Sequence, residues 1–234
     1  MATLVTEGTI DGTAVAQAPH PRARRFFPWI VFTLTFALLL SDYMSRQVLS
    51  AVFPFLKAEW ALSDTQLGAL TSVVALTVGL LAVPLSLLGD RWGRVKSIVL
   101  MGTVWSLATL GSAIAANYGE LMLSRVFIGV GEAAYGSVGL AVVLAVFPAH
   151  RRASFTGAFL AGGSFGSVIG VALGGALAVH LGWRWAFAAM AVLGLVLVIA
   201  YRALISDKKL DAHRVIDPAD GEPVSRSAER AKLR

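Results

Sequence analysis

The sequence contains no cysteine in its 234 residues, and only 15% of those residues are charged. The lack of cysteine excludes disulfides, thiol catalysis and cysteine-ligated metals. A soluble domain usually carries about 25% charged residues. Apolar residues make up 56% of the chain, and they are concentrated in runs of about twenty or more. This pattern indicates a helical membrane protein rather than a soluble one.

Sites for metals, cofactors and nucleic acids are not expected either. The histidines are scattered over tail and loops, at His20, His150, His180 and His213, so no metal site and no cofactor is predicted.

Residues 1–27 lack the apolar region and small-residue cleavage site of a signal peptide. The net charge is +6, but the basic residues lie in short segments between apolar runs. That distribution excludes a nucleic-acid-binding face.

Six apolar spans can be drawn, each of about 20 residues or more, which is enough to cross a bilayer core of about 30 Å. The predicted spans are Pro28–Val52, Gln66–Leu88, Val95–Ala116, Leu121–Phe147, Ala153–Val179 and Trp185–Leu204. Ser63 and Gln66 have the spacing of a capping box, which predicts a helix start at the second span.

The distribution of lysine and arginine predicts the orientation. With the N-terminus in the cytoplasm, the inside segments hold twelve basic residues close to the spans and the outside loops hold two, Lys57 and Arg184. The twelve are Arg22, Arg24, Arg25, Arg91, Arg94, Lys96, Arg151, Arg152, Arg202, Lys208, Lys209 and Arg214. This bias predicts a multi-pass protein of the plasma or inner membrane with both termini cytoplasmic.

The chain therefore divides into three parts. Residues 1–27 are predicted to form a cytoplasmic tail, residues 28–204 a six-helix transmembrane domain, and residues 205–234 a polar cytoplasmic tail that we expect to be disordered. A faint internal repeat supports a three-plus-three organisation. The segment Ala-Val-Phe-Pro ends the first span at residues 51–54 and the fourth at residues 145–148, as an inverted repeat predicts.

Four charges lie well inside the spans: Asp42 and Arg46 in the first, and Arg125 and Glu132 in the fourth. Charged side chains are costly in lipid, so a polar cavity or a partner is expected for each. The rise per residue places the arginines at one level and the carboxylates deeper, near mid-membrane. Two alternatives stay open. Asp42 and Arg46 can form an internal i, i+4 pair that only allows insertion, and Arg125 can simply tie helices together.

The fifth span repeats glycine at every fourth residue, at Gly162, Gly166, Gly170 and Gly174. Such a stripe allows another helix to approach closely, so a packing face is predicted. Residues 162–166 also match the hydrolase pattern G-x-S-x-G. That motif requires a strand–turn–helix context, whereas this copy lies in an apolar span. An intramembrane hydrolase is therefore discounted, and no enzyme activity is predicted.

The segment between the second and third spans carries a family signature. Its order of Asp90, Arg91, Gly93, Arg94 and Lys96 resembles the pattern that follows the second helix in the major facilitator superfamily of secondary transporters. Three more segments resemble the anion:cation symporter and spinster-like members of that superfamily: Asp42 to Ser50 with Leu62 to Gly68, Arg125 to Ala133, and Gly182 to Phe187. The resemblance covers roughly residues 28–204.

The resemblance implies an all-α fold, namely the N-terminal six-helix half of a twelve-helix transporter with an inverted three-plus-three repeat. It implies that Arg46 binds a substrate carboxylate, and that Arg125 and Glu132 serve substrate binding and proton coupling. We further predict Tyr43 as a substrate-binding residue and Asp42 as a second proton-coupling acid beside Glu132. It assigns Asp90, Arg91, Gly93 and Arg94 to a gating or structural loop. Many relatives have an acid directly before the first-helix arginine, where this chain has Ser45.

Two functional hypotheses follow. The first is half of a secondary, proton-coupled transporter for a small organic anion such as a carboxylate, because arginines in a membrane cavity suit carboxylates. The second is a six-helix interaction module that transports nothing without a partner. In both hypotheses the lipid bilayer surrounds the chain, and a C-terminal half or a second copy of the chain binds to it.

Overall fold

The computed structural model describes residues 23–213, except for the side chains of residues 23–25 and of Asp90. All regular elements in this part are helices. They are α1 (Ala23–Trp60), α2 (Asp64–Trp92), α3 (Arg94–Ile114), α4 (Tyr118–Glu132), α5 (Tyr135–Val146), α6 (Ala149–Leu181), α7 (Trp183–Leu204) and α8 (Asp207–Ala212). By length and composition six of these segments can cross a membrane, with α4 and α5 forming one span. The predicted set of six spans is thus confirmed.

The first span is longer than predicted at both ends. Helix α1 begins at Ala23, so part of the predicted tail is helical, while residues 1–22 lie outside the described part. It also continues through Pro54 to Trp60. Its 38 residues correspond to about 57 Å, well beyond a bilayer core. The related segment at residues 145–148 behaves differently, because there the helix stops before Pro148. The short sequence repeat is therefore not a structural one.

Local signals define the connections between the helices. Ser63 and Gln66 form the predicted capping box, with Ser63 Oγ accepting from Gln66 N and Gln66 Oε1 accepting from Ser63 N. Gly93 alone separates α2 from α3, and its φ of +98° requires a residue without a Cβ. Gly182 plays the same part between α6 and α7, with φ +95°. We call the two ends of the bundle the Gly93 end and the Gly182 end.

The pairing of helices follows an inverted repeat. Helix α1 packs mainly against α6, α2 against α4, and α3 against α7, while α1 also contacts α7 and α3 contacts α4. Exchanging the first three spans with the last three maps the α1–α6 contact onto the contact between α4 and α2. The same exchange maps α1–α7 onto α4–α3 and leaves α3–α7 in place. The contacts therefore have the symmetry of a three-plus-three repeat.

Two apolar clusters fill the bundle, one towards each end. On α1 the first cluster ends at Leu39 and the second begins at Met44, and on α3 they are separated by the segment between Trp105 and Ala113. Between or beside these clusters lie buried polar residues that we call the polar layer: Ser41, Asp42, Ser45, Ser106, Thr109, Arg125 and Glu132. The polar layer contains three of the four intramembrane charges.

The segment after the sixth span begins with a short helix, α8. The prediction that residues 205–234 are disordered is therefore wrong for residues 207–212. Ser206 caps α8, and Leu210 is buried in the cluster at the Gly93 end. Asp207 Oδ1 accepts a hydrogen bond from Val95 N at 3.0 Å, at the first turn of α3. Helix α8 is therefore docked beneath the bundle, and residues 214–234 lie outside the described part.

Candidate functional site

The fourth span is broken inside the membrane, next to one of its charges. Helix α4 ends at Glu132 and α5 begins at Tyr135, with Ala134 at φ −117°, ψ 1°. Irregular backbone at this depth is found where protein buries it or where it lines a cavity, and interrupted helices often mark binding sites in transporters. The break was not predicted, because the span contains no proline and its glycines are spread along its length.

Two glycines beside the break bring α4 close to its neighbours. A Cβ built on Gly131 would lie 2.6 Å from Trp105 N on α3, and one built on Gly129 would lie 3.0 Å from Val74 O on α2. These distances leave no room for a side chain, so the backbones of three helices meet around Glu132. The carboxylate is consequently held on a tightly packed part of the bundle.

Arg46 joins the first span to the fourth. Its Nε lies 2.6 Å from Glu132 Oε2, and its Nη2 lies 4.0 Å from Asp42 Oδ2. The side chain of Glu132 is fully buried and that of Asp42 is 5% exposed, whereas that of Arg46 is 30% exposed. Arg46 is thus the part of this cluster that a solute can reach. The structure brings these three predicted residues together, and the closer pair is with Glu132 rather than with Asp42.

The two carboxyl groups share Arg46 as their cation. Oδ1 of Asp42 and both side-chain oxygens of Glu132 are buried without a hydrogen-bond partner, and the Nε–H of Arg46 is not aligned with Glu132 despite the short distance. A buried acceptor without a donor is energetically unfavourable. One arginine therefore lies beside two buried acids, and oxygens of both acids have no hydrogen-bond donor.

Arg125 does not join this cluster. Its side chain is buried, at 1% exposure, and its Cζ lies 4.8 Å from the centroid of the Phe187 ring on α7. Its Nε and Nη2 have no hydrogen-bond partner, and no carboxylate in the described part forms an ion pair with it. Sequence reasoning identified Arg125 but not Phe187, because the partner is 62 positions away on another span.

Tyr43 and the glycine stripe define the packing of α1 on α6. The Tyr43 ring centroid lies 5.4 Å from Arg46 Cζ. All four predicted glycines face α1: Gly162 faces Phe36, Gly166 faces Leu40 and Tyr43, Gly170 faces Met44, and Gly174 faces Val48. The serine of the G-x-S-x-G match lies within the continuous helix α6.

The signature residues lie far from the polar layer. Arg91 is in the last turn of α2 and is exposed, Arg94 starts α3 and is partly exposed, and the side chain of Asp90 lies outside the described part. From Arg94 to Ser106 the helix rises about 18 Å. A solute in contact with Arg46 does not reach these residues.

Sequence comparison places this arrangement in a known family. The model of the Major Facilitator Superfamily matches residues 35–231. The chain belongs to the Major Facilitator Superfamily. The predicted resemblance is confirmed. The six-helix bundle agrees with the predicted N-terminal half of the superfamily fold.

Individual superfamily members show how much of the fold the chain spans. It is 30% identical over 188 residues to a probable L-galactonate transporter of Escherichia coli, covering 80% of the chain and 41% of that protein. It is 30% identical over 174 residues to protein spinster homolog 1 of Xenopus laevis, covering 73% and 33%. The crystal structure of a bacterial spinster homolog, inward-facing and occupied, aligns with a TM-score of 0.73 at 24% identity, over 78% of the chain and 45% of that chain. The chain thus spans less than half the length of each.

Proposed function

We propose that this chain forms one half of a secondary active transporter that moves a small organic anion and couples its movement to a proton. The observation that carries the proposal is the Arg46 cluster. A partly exposed arginine is held at 2.6 Å from a fully buried glutamate at the break of the fourth span. Such a group offers a cation to a solute while it holds two acids that can exchange a proton.

Charge balance provides the coupling. Asp42 and Glu132 face one arginine, so ionisation of both acids leaves one negative charge uncompensated in a buried site. A proton between the two carboxyl groups removes that charge and supplies the donor that their oxygens lack. Protonation of Glu132 also releases Arg46 from its ion pair. Arg46 is then free to accept an anion, so proton binding and anion binding favour one another.

The chemistry of Arg46 favours a carboxylate as the substrate. A guanidinium can donate two parallel hydrogen bonds to a carboxylate, which a lysine cannot reproduce. Tyr43 lies beside it and can contribute a hydroxyl donor. The Escherichia coli relative is named for L-galactonate, which is a sugar acid and carries such a carboxylate. Direct substrate contact by Arg125 stays a prediction, and it requires the side chain to leave Phe187.

A partner completes the binding site in this proposal. Arg46 is the exposed member of its cluster, and the superfamily members compared above are more than twice as long as the part that this chain matches. The partner is a C-terminal half or a second copy, arranged about an axis along the membrane normal. The alternative remains a six-helix interaction module that binds a partner half without transporting anything.

Transport by proteoliposomes tests the proposal. Vesicles that contain the completed transporter are given radiolabelled L-galactonate and, in parallel, its uncharged lactone, with and without an inward proton gradient. We expect accumulation of the acid only, driven by the gradient and abolished by a protonophore. Protein-free vesicles and vesicles with this chain alone are the controls. Equal uptake with and without the gradient contradicts proton coupling. Binding of a partner without uptake of any sugar acid supports the interaction module instead.

A further inference from the structure

Arg125 is stabilised in an unusual way for a buried cation. Its guanidinium is 1% exposed, has two nitrogens without a hydrogen-bond partner, and rests over the ring of Phe187. Buried arginines normally pair with an acid. Its own helix carries two acids: Glu120 in the exposed first turn, and Glu132 two turns further along, or about 10 Å in rise. Glu132 uses its carboxylate for Arg46 instead.

The orientation of the Phe187 ring, which lies against Arg125, is fixed by contacts at the Gly182 end. Phe187 is fully buried, and the Trp183 ring lies against it edge to face with 6.0 Å between centroids. The Trp183 indole donates to Glu59 Oε2 at 2.6 Å, and Arg184 Nη1 donates to Glu59 Oε1 at 2.9 Å. Glu59 lies in the last turn of α1. A continuous series of contacts thus runs from the end of α1 through Trp183 to the ring beneath Arg125.

We propose that Phe187 is a positioning residue for Arg125, and that its ring holds the guanidinium apart from Glu132 while Glu132 is paired with Arg46. This role rests on the proposed function, since it concerns the same proton-carrying site. An aromatic face attracts a cation without neutralising it. The guanidinium therefore keeps its charge and its free N–H groups, and it can leave the ring when an anion is offered.

The geometry favours this role over packing alone. A residue that only fills the core needs apolar volume, which leucine supplies as well as phenylalanine. Phe187 instead presents its face to the one buried cation in the described residues that has no acid partner. The contact also joins α4 to α7, and the edge-to-face contact with Trp183 constrains the ring orientation. A packing role does not explain why the face is turned towards Arg125.

The charges that surround Glu132 determine what the loss of the ring would do. Asp42 and Arg46 face it from α1, and Arg125 precedes it by two turns on its own helix. The described residues of α2, α3 and α7 have charged side chains only near their ends. Without the ring, Arg125 is free to move towards Glu132. A second cation beside this carboxylate favours its ionised form, so protonation requires a lower pH.

A spectroscopic experiment tests the position of Arg125 without any transport assay. The full-length protein is labelled with ¹⁵N-arginine in nanodiscs, and the Arg125 resonance is assigned by its absence in Arg125→Lys. We expect its Nε–H proton to be shifted upfield by the ring current of Phe187. Phe187→Tyr retains this shift and Phe187→Leu removes it. Phe159→Leu, which truncates another buried ring away from Arg125, leaves it unchanged. An unshifted resonance in the wild type, or equal effects of the two leucine variants, overturns the proposal.

The transport assay tests the consequence. In proteoliposomes of the complete transporter, Phe187→Leu is expected to lower the pH midpoint of gradient-driven uptake by about one unit, whereas Phe187→Tyr and Phe159→Leu keep the wild-type midpoint. A midpoint that Phe187→Leu leaves unchanged overturns the positioning role. If the wild-type protein shows no proton-driven uptake, the proposed function fails, and the resonance of Arg125 still decides whether Phe187 positions it.

Discussion

Arg46 and Glu132 form a 2.6 Å ion pair between the first and fourth spans, at the level where the fourth span is broken. They lie on α1 and α4, which are the first helices of the two triplets and correspond to each other in the inverted repeat. The pair therefore joins the two triplets. A change in either charge alters the contact between the two triplets as well as the local electrostatics.

Replacing Arg46 by lysine should weaken binding even though the charge is kept. An ammonium cannot form the planar two-bond contact with a carboxylate, so we expect a loss of about 10-fold or more in substrate affinity, equivalent to about 1.4 kcal/mol. The measurement is the concentration dependence of counterflow in proteoliposomes. Lys57→Arg, at an exposed pair with Asp64, is the matched control for a lysine–arginine exchange. Unchanged affinity in Arg46→Lys would exclude two-bond recognition.

The orientation predicted from the basic residues can be tested directly. Close to the spans, twelve lysines and arginines lie on one side and two on the other. This bias predicts that both termini of the chain lie in the cytoplasm. Reporter fusions after Glu120 and after Arg214 should report outside and inside, respectively. An inside signal from the Glu120 fusion contradicts this orientation.

The sequence predicted those features that depend on neighbouring residues. Apolar run length gave the six spans, and the Ser63–Gln66 spacing gave the capping box. The break after Glu132 was missed because alanine has no intrinsic tendency to interrupt a helix, so tertiary contacts must cause it. The partner of Arg125 was also missed. A membrane helix is apolar towards lipid and towards protein alike, so periodicity does not fix which face meets Phe187.

Adding a methyl group to the glycine stripe should separate α1 from α6. A Cβ on Gly170 would lie 2.6 Å from Met44 Cα and 2.8 Å from Met44 O, and backbone atoms cannot rotate away. We expect Gly170→Ala to lower the free energy of unfolding by about 1–3 kcal/mol. Gly157→Ala on the same helix meets open space and is the control. Unfolding in mixed micelles provides the comparison, and equal stability of the two variants would rule out tight packing at Gly170.

Removal of Asp207 should undock α8. Its carboxylate accepts from Val95 N at the first turn of α3, where the helix dipole also favours a negative charge. We expect Asp207→Ala to destabilise this contact by about 1–2 kcal/mol. Hydrogen exchange at residues 94–97 and 205–213 should then be about 5–30-fold faster. The exposed Asp211→Ala serves as the control. Protection that is unchanged in Asp207→Ala contradicts a docking role.

The loss of the Glu132 charge should separate binding from coupling. Glutamine has nearly the shape of a protonated glutamate, so Glu132→Gln fixes the state in which Arg46 is free of its ion pair. Substrate should then bind at least as tightly as in the wild type, and counterflow should persist. Accumulation driven by a proton gradient should disappear, because the site can no longer release a proton. Glu120→Gln removes a carboxylate at the exposed Gly182 end and should retain both activities. Gradient-driven accumulation by Glu132→Gln would move the coupling role to another group, with Asp42, the second acid against Arg46, as the next residue to replace.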